Sequence, residues 1–420
     1  MILSGSIVGS GELIATTTLG ARVGFAALWL IIASCLIKAV VQEELGRYTI
    51  ITGETTFRAL DKVPGPRWRV SWVVWCWMIM FAGVTFQQGG IIGGTAQVFN
   101  IVSPNISVLS WTIIIAAVTV VLLTTGRYHF VELASTVMVV GFTFITMGGA
   151  LLLAWTPYAV RLHDVTDGLK FHFPTGGLGV AFAAFGITGV GATELIYYPY
   201  WCLEKGYARF TGRNDQSAGW LTRAHAWVRI MRIDVLVAMA VYTLATVAFY
   251  VLGASVLYGI GKIPAGYDMV RTLSSIYTTT FGEWAFYLFL LGAFFVLYST
   301  IFSANASNSR VLTDFLEMIG VIRIKDDRHR WSWQRSIIMV LLPLYVLLYL
   351  FLGEPVSMVI VGGVAQACML PIISLSTLYL RYRQMDPAMR PGLFTDLLLW
   401  ICSVLMMAFA VYVLVVRLRG

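Results

Sequence analysis

Ile7-Val8-Gly9-Ser10-Gly11-Glu12-Leu13-Ile14 is an apolar stretch broken by glycines, with one carboxylate at the break. An altered copy returns as Gly189-Val190-Gly191-Ala192-Thr193-Glu194-Leu195-Ile196. Each copy interrupts a segment apolar enough to cross a bilayer. Hydrocarbon offers no water to a freed N–H or C=O group. Broken backbone and ionisable side chains therefore survive there only against protein or a water-filled cavity. A pair of such interruptions in corresponding positions of two halves points to the binding site of a transporter.

Composition sets the class. Of 420 residues, 58% are hydrophobic and 12% charged, where a soluble domain carries about 25% charged residues. The fold class is an all-α polytopic membrane protein. A span needs roughly 20 mainly apolar residues, which predicts about eleven of them: 1–20, 25–46, 70–98, 107–125, 130–156, 176–202, 233–258, 284–306, 336–352, 355–380 and 393–416. Only eight residues precede Gly9, so either the first half-helix is short or residues precede Met1. No cleavable signal sequence is expected, because the first apolar run leads directly into the break. Partly helical loops are expected at 53–61 and 267–275.

The loops at 47–69, 127, 205–232, 310–335 and 381–390 hold five, one, six, six and three Lys/Arg, 21 of the 29 in the chain. By the positive-inside rule these loops are cytoplasmic, with the N-terminus inside and the C-terminus outside. The expected setting is a prokaryotic plasma membrane. The net charge of +8 thus reads as topology, and no nucleic-acid partner follows from it. One transport domain is expected over 1–420: a first repeat at 1–156, an inverted second repeat at 176–380, and an extra helix at 393–416. The loop 205–232 reads either as a solvated basic excursion or as a regulatory surface.

The five cysteines lack CxxC spacing and the five histidines share no helix face, so neither zinc nor haem is indicated. No nucleophile–base pair suggests an enzyme. No resident cofactor, metal or obligate protein partner is expected, and the partners are lipid and a small inorganic ion.

Gly20-Ala21-Arg22-Val23-Gly24-Phe25, then Leu28-Trp29, Gln42-Glu43-Glu44-Leu45-Gly46-Arg47 and Thr52-Gly53 resemble the second helix of Nramp-type metal transporters. Gly191-Ala192-Thr193, Ile233-Asp234 opening a long apolar helix, and Leu370-Pro371 are similar to that family's sixth, seventh and tenth helices. The resemblance covers nearly the whole chain. It implies a LeuT-type fold of 5+5 inverted repeats plus one helix, with helices 1 and 6 broken around the substrate.

The site departs from the family pattern. Asp-Pro-Gly-Asn in the first helix is replaced by Gly9-Ser10-Gly11-Glu12, and Met-Pro-His-Asn in the sixth aligns with Leu195-Ile196-Tyr197-Tyr198. The acidic residue of the third helix gives way to Gln87 and Gln88, and Ser336–Leu352 offers no Arg partner. The usual Mn/Fe substrate and proton route are therefore not supported.

The candidate ion-binding residues are Gly9, Ser10, Gly11, Glu12, Gln87, Gln88, Thr193, Glu194, Tyr197, Tyr198, Asn305 and Gln366. Glu12 reads as a ligand or proton carrier, or else as a carboxylate satisfying a half-helix N-terminus. Glu194 reads as a ligand or as a cap on freed N–H groups. Gln87, Gln88 and Asn305 could equally make helix–helix contacts, and the tyrosines could pack. Lys38 is expected to snorkel or pair.

Secondary active transport by alternating access is the leading expectation. The substrate reading leans to an oxyanion such as bicarbonate, coupled to Na⁺ or H⁺ and held by half-helix N-termini. A divalent cation such as Mg²⁺ or Mn²⁺, with Glu12 as replacement ligand, is the alternative. A non-transporting sensor is the third reading.

Overall fold

A computed structural model describes residues 9–125, 128–173 and 176–419. The half-helix expected before Gly9 lies outside the described residues. After a bend at Gly9 the chain enters a π-turn, Gly11–Thr16, which runs into α1 (Thr17–Val23). Gly24, at φ +59°, ends α1 and opens the turn into α2 (Leu28–Thr52). The next helices are α3 (Trp72–Val102), α4 (Val108–Thr124) and α5 (Tyr128–Leu152). A two-residue hairpin, Arg67–Trp68 against Val70–Ser71, precedes α3.

The second interruption separates α6 (Leu178–Ile187) from α7 (Ala192–Glu204). Then come α8 (Ala218–Leu252), α9 (Met269–Phe281), α10 (Ala285–Met318), α11 (Asp327–Leu352), α12 (Pro355–Arg383) and α13 (Leu393–Arg419). Each predicted span falls largely on helix where the structure describes it, the exceptions including Val70–Ser71 in the hairpin and the interruption between Ile187 and Ala192. Seven helical runs among the described residues are long and apolar enough to cross a membrane; Gly11–Thr52 is one of them although it contains both α1 and α2. The chain is an integral membrane protein with an all-α architecture.

Three expectations need correction. The basic segment 205–232 is not all loop: α8 begins at Ala218, its start capped by the Ser217 side chain accepting from Trp220 N–H. Ile233-Asp234 consequently lies within a helix and does not open one. The second break lies at Thr188–Gly191, upstream of Glu194, so Leu195–Tyr198 belong to α7. The reason is conformational. Gly189 sits at φ +62°, a region only glycine visits freely, whereas 195–198 have no residue suited to that geometry.

Glycines also set the closeness of packing. A Cβ on Gly186 would lie 2.1 Å from Gly363 O, and one on Gly363 would lie 2.7 Å from Ala183 O. In lipid no hydrophobic drive presses helices together, so contact of this kind supplies the association. At the basic end, Arg381 is buried and forms ion pairs with Glu44 at 3.1 Å and Asp396 at 2.7 Å. Arg47 joins Glu44 and Glu43, and Glu43 reaches Arg232. These pairs tie α2, α8, α12 and α13 together.

Gly186→Ala should therefore push α6 off α12 and destabilise the protein by about 1–3 kcal/mol, the usual cost of overpacking. A detergent melting curve checks this, and an unchanged midpoint would contradict the close approach.

Candidate functional site

The two breaks meet at Glu12. The side chain is 1% exposed, and its oxygens are committed. Gly9 N–H donates to Oε2 at 2.9 Å, and Gly189 N–H donates to Oε1 at 3.0 Å. Thr246 of α8 adds a longer contact to Oε1 at 3.4 Å. Each break frees backbone donors that a helix would have used, and one carboxylate satisfies a donor from each. Charge-assisted bonds of this sort are about twice as strong as neutral ones.

The opposite polarity is met by Lys38. It is fully buried on α2 and donates to Phe185 O at 2.8 Å and to Thr188 O. Those carbonyls end α6 at the break, where the helix dipole favours a cation. Ser34 Oγ bonds Phe185 O and Thr188 Oγ1, each at 3.2 Å. Lys38 is thus paired with backbone and does not snorkel. Sequence reading missed its role because the partners are main-chain atoms made available only by a break some 150 residues away.

A cavity of about 40 Å³ lies between the breaks, lined by Gly9, Ser10, Gly11, Glu12, Gln87, Gln88, Thr193, Glu194, Tyr197 and Gln366 among the predicted residues. Thr300, Ser303 and Ser307 of α10 complete one wall, and Trp201 another. One water needs roughly 10–15 Å³ by this measure, so the space suits a very small ligand. Its polar wall is a chain of oxygens. Thr193 Oγ1 lies 2.8 Å from Glu194 Oε2 and 2.9 Å from Gln366 Oε1, with one hydrogen to share. Thr193 N–H also donates to Gln366 Oε1 at 3.2 Å, and Gln366 Nε2 donates to Gln87 Oε1 at 2.8 Å. Gly191 lets both acceptors approach the backbone: a Cβ would lie 2.5 Å from Glu194 Oε2 and 2.6 Å from Gln366 Oε1 and would displace these side chains.

The hydroxyls on α10 spend their hydrogens on the helix itself. Thr300 Oγ1 donates to Val296 O at 2.9 Å, and Ser303 Oγ to Ser299 O at 2.8 Å. Thr300 Oγ1 in turn accepts Ser10 N–H at 3.2 Å. Gln88 Oε1 is buried without a protein partner. The tyrosine expected to donate to a ligand is occupied: Tyr197 OH bonds Asn308 Oδ1, and Asn308 Nδ2 reaches Tyr345 OH at 3.3 Å.

Two predicted residues lie outside the lining. Asn305 is buried with Nδ2 on Ile301 O at 2.7 Å, a bond to its own preceding turn that holds it within α10. Tyr198 turns to α2, where its ring approaches Gly46. Helical spacing explains both corrections: Tyr197 takes the cavity face of α7, and its neighbour points about 100° away. Thr246 and Tyr345 carry no signal in the sequence, since each stands in an ordinary-looking apolar run, whereas Thr300 and Asn308 belong to a small polar face, Ser299–Asn308, that the sequence displays. Among the described residues no three His, Cys, Asp or Glu side chains form a metal-ligating group.

Replacing Glu12 with Gln removes a charge-assisted acceptor from buried N–H groups. It should cost about 1.5–3 kcal/mol per affected bond, read as a lowered melting midpoint. Glu194→Gln should leave the midpoint near wild type, because Thr193 can keep its bond to Gln366. Equal losses in the two variants would contradict the division of roles.

A profile of the natural resistance-associated macrophage protein-like family matches residues 1–416. No curated protein matches the chain by sequence. Among solved structures, the manganese transporter of Eremococcus coleocola bound to an aromatic bis-isothiourea substituted compound is similar with TM-score 0.68 and 15% identity, over 97% of this chain and 85% of that one. MhsT in complex with L-phenylalanine gives 0.60 and 16%, over 99% and 97%. Mhp1, a nucleobase-cation-symport-1 family transporter, gives 0.55 and 13%, over 98% and 91%. At these identities the likeness is one of fold.

Proposed function

The chain belongs to the natural resistance-associated macrophage protein-like family, whose members are transporters and not enzymes, and on that premise we propose that it carries a small hard cation, Mg²⁺ or Mn²⁺ being the first candidates. The observation that carries this reading is that the anion positions of the breaks are already filled by the protein's own side chains. Glu12 takes Gly9 N–H and Gly189 N–H, and Gln366 Oε1 takes Thr193 N–H. A bicarbonate ion would have to displace them while facing two carboxylates. What remains directed at the cavity is mostly acceptor: Glu194, the second lone pair of Gln87 Oε1, Gln88 Oε1 and hydroxyl lone pairs, with Gln366 Oε1 joining them once the Thr193 hydroxyl turns to Glu194 alone. Oxygen-only sets of this kind suit Mg²⁺, Ca²⁺ and Mn²⁺.

The carboxylate available to a cation in this reading is Glu194 and not Glu12. Lys38 offsets one of the two negative charges, leaving a formal −1 at the cavity for the cation to meet. The manganese transporter among the fold neighbours carries a cation also, which agrees with the reading but not with a soft ligand set. A coupling Na⁺ or proton would act at the same cluster, with Glu194 as the group free to take it. The two breaks fall at matching places in the halves 1–156 and 176–380, which supports an inverted repeat moving by alternating access. With the arginine-rich loops in the cytoplasm, Trp201 and Ser307 lie on the inward side of the cavity.

The test is uptake in proteoliposomes, with Mg²⁺, Mn²⁺ and labelled inorganic carbon in parallel arms. Saturable uptake of a divalent cation, reduced tenfold or more in Glu194→Gln, is expected. Carbon uptake without cation uptake would overturn the proposal and restore the oxyanion.

A further inference from the structure

We propose that the basic end of the bundle carries a second site, separate from the transport cavity, that binds a phosphate-bearing anion. A cleft of about 1060 Å³ opens there between the segment 208–216 and the segment 383–390. Four arginines line it: Arg209 and Arg213 from one wall, Arg383 and Arg390 from the other. The two walls are some 170 residues apart in sequence and are joined by Asn214 Nδ2 donating to Asp386 Oδ2 at 3.0 Å.

The cleft gathers four arginines against one carboxylate, Asp386, and so carries an excess of positive charge. Several other arginines of that face have carboxylates: Arg310 has Glu204, Arg330 has Asp314 and Glu317, and Arg47, Arg232 and Arg381 share Glu43, Glu44 and Asp396. Among the described residues Arg209, Arg213, Arg383 and Arg390 form no ion pair. Asp386, the acidic residue in the lining, is spent on Asn214 and on capping Ala388 N–H at 2.9 Å. Arg390 gives one nitrogen to Tyr382 O at 2.9 Å, which fixes its guanidinium at the rim. Guanidinium groups gathered in one cleft in excess over carboxylate suit phosphate oxygens, which arginine binds bidentately.

The height of the cleft suggests where the phosphate comes from. Three residues beyond Arg390, α13 starts with Leu393 and Phe394, which are 85% and 76% exposed, and Phe210 beside Arg209 is 54% exposed. Apolar side chains presented outward next to arginines mark the boundary between hydrocarbon and headgroups. Basic pockets at that depth take anionic lipid headgroups. A soluble phosphate anion shares the chemistry, and the experiment separates the two.

The full chain is purified in a neutral detergent, and its melting midpoint is followed against four probes: diphosphatidylglycerol and phosphatidylcholine in mixed micelles, and inorganic phosphate and pyrophosphate in solution. The variants are Arg213→Gln with Arg383→Gln, and as a control Arg323→Gln with Arg328→Gln, two exposed arginines of another basic loop. All are exposed side chains without ion pairs, so each variant should melt like wild type without ligand. The expected result is stabilisation by diphosphatidylglycerol over phosphatidylcholine, weakened in the cleft variant by roughly fivefold per arginine removed and unchanged in the control. Stabilisation by pyrophosphate alone, with the same variant pattern, would keep the phosphate site and assign it a soluble ligand. No phosphate-dependent stabilisation, or an equal loss in the control, would overturn the site. Because the readout is binding and not transport, the outcome is independent of the cation proposal.

Discussion

The structure depends on one constraint: one helix is interrupted at Thr188–Gly191 and another opens at Gly9 beside it inside a membrane protein, and the polar atoms left without helical partners need partners that water cannot supply. Glu12 and Lys38 answer it with opposite charges. The carboxylate accepts a freed N–H group from each break, and the ammonium donates to the carbonyls that end α6. Each ion would be costly alone in this setting. Placed against backbone dipoles of the matching sign, they hold the unwound segments in one arrangement. The glycine contacts of α6 on α12 then fix the distance across which the cavity forms.

This arrangement separates two tasks that the sequence presents as one. Glu12 and Glu194 look like equivalent residues in two copies of one motif, yet their surroundings differ. Glu12 is enclosed and accepts from Gly9 N–H and, 177 residues away, from Gly189 N–H, while Glu194 is half-buried and accepts locally, from the Thr193 hydroxyl that it shares with Gln366. A ligand can compete for the second carboxylate far more readily than for the first. The oxyanion expectation weakens for the same reason, since half-helix N–H groups that look available in the sequence are taken by side chains.

Much of this was legible beforehand, and the failures have physical causes. The order of the apolar helices and the interruption at Gly189 follow from hydropathy and glycine placement, which are local. Ten of the twelve candidate residues line the cavity because polar side chains in apolar helices have few other places to go. Asn305 and Tyr198 lie outside the lining because one residue of helical phase decides which way a side chain faces. The break was misplaced by several residues when Leu195–Tyr198 were matched to a family motif, whereas the backbone follows Gly189. Lys38 was undervalued since its partners are carbonyls, which no sequence pattern displays.

The account's central claim is that Glu12 builds the site and Glu194 serves the ion. Anomalous scattering from Mn²⁺ in the ligand-bound protein locates the cation directly. The predicted peak lies among Glu194, Gln366 and Gln87, with Glu12 still holding Gly9 N–H and Gly189 N–H. A peak coordinated by Glu12, with those two bonds broken, would contradict the claim.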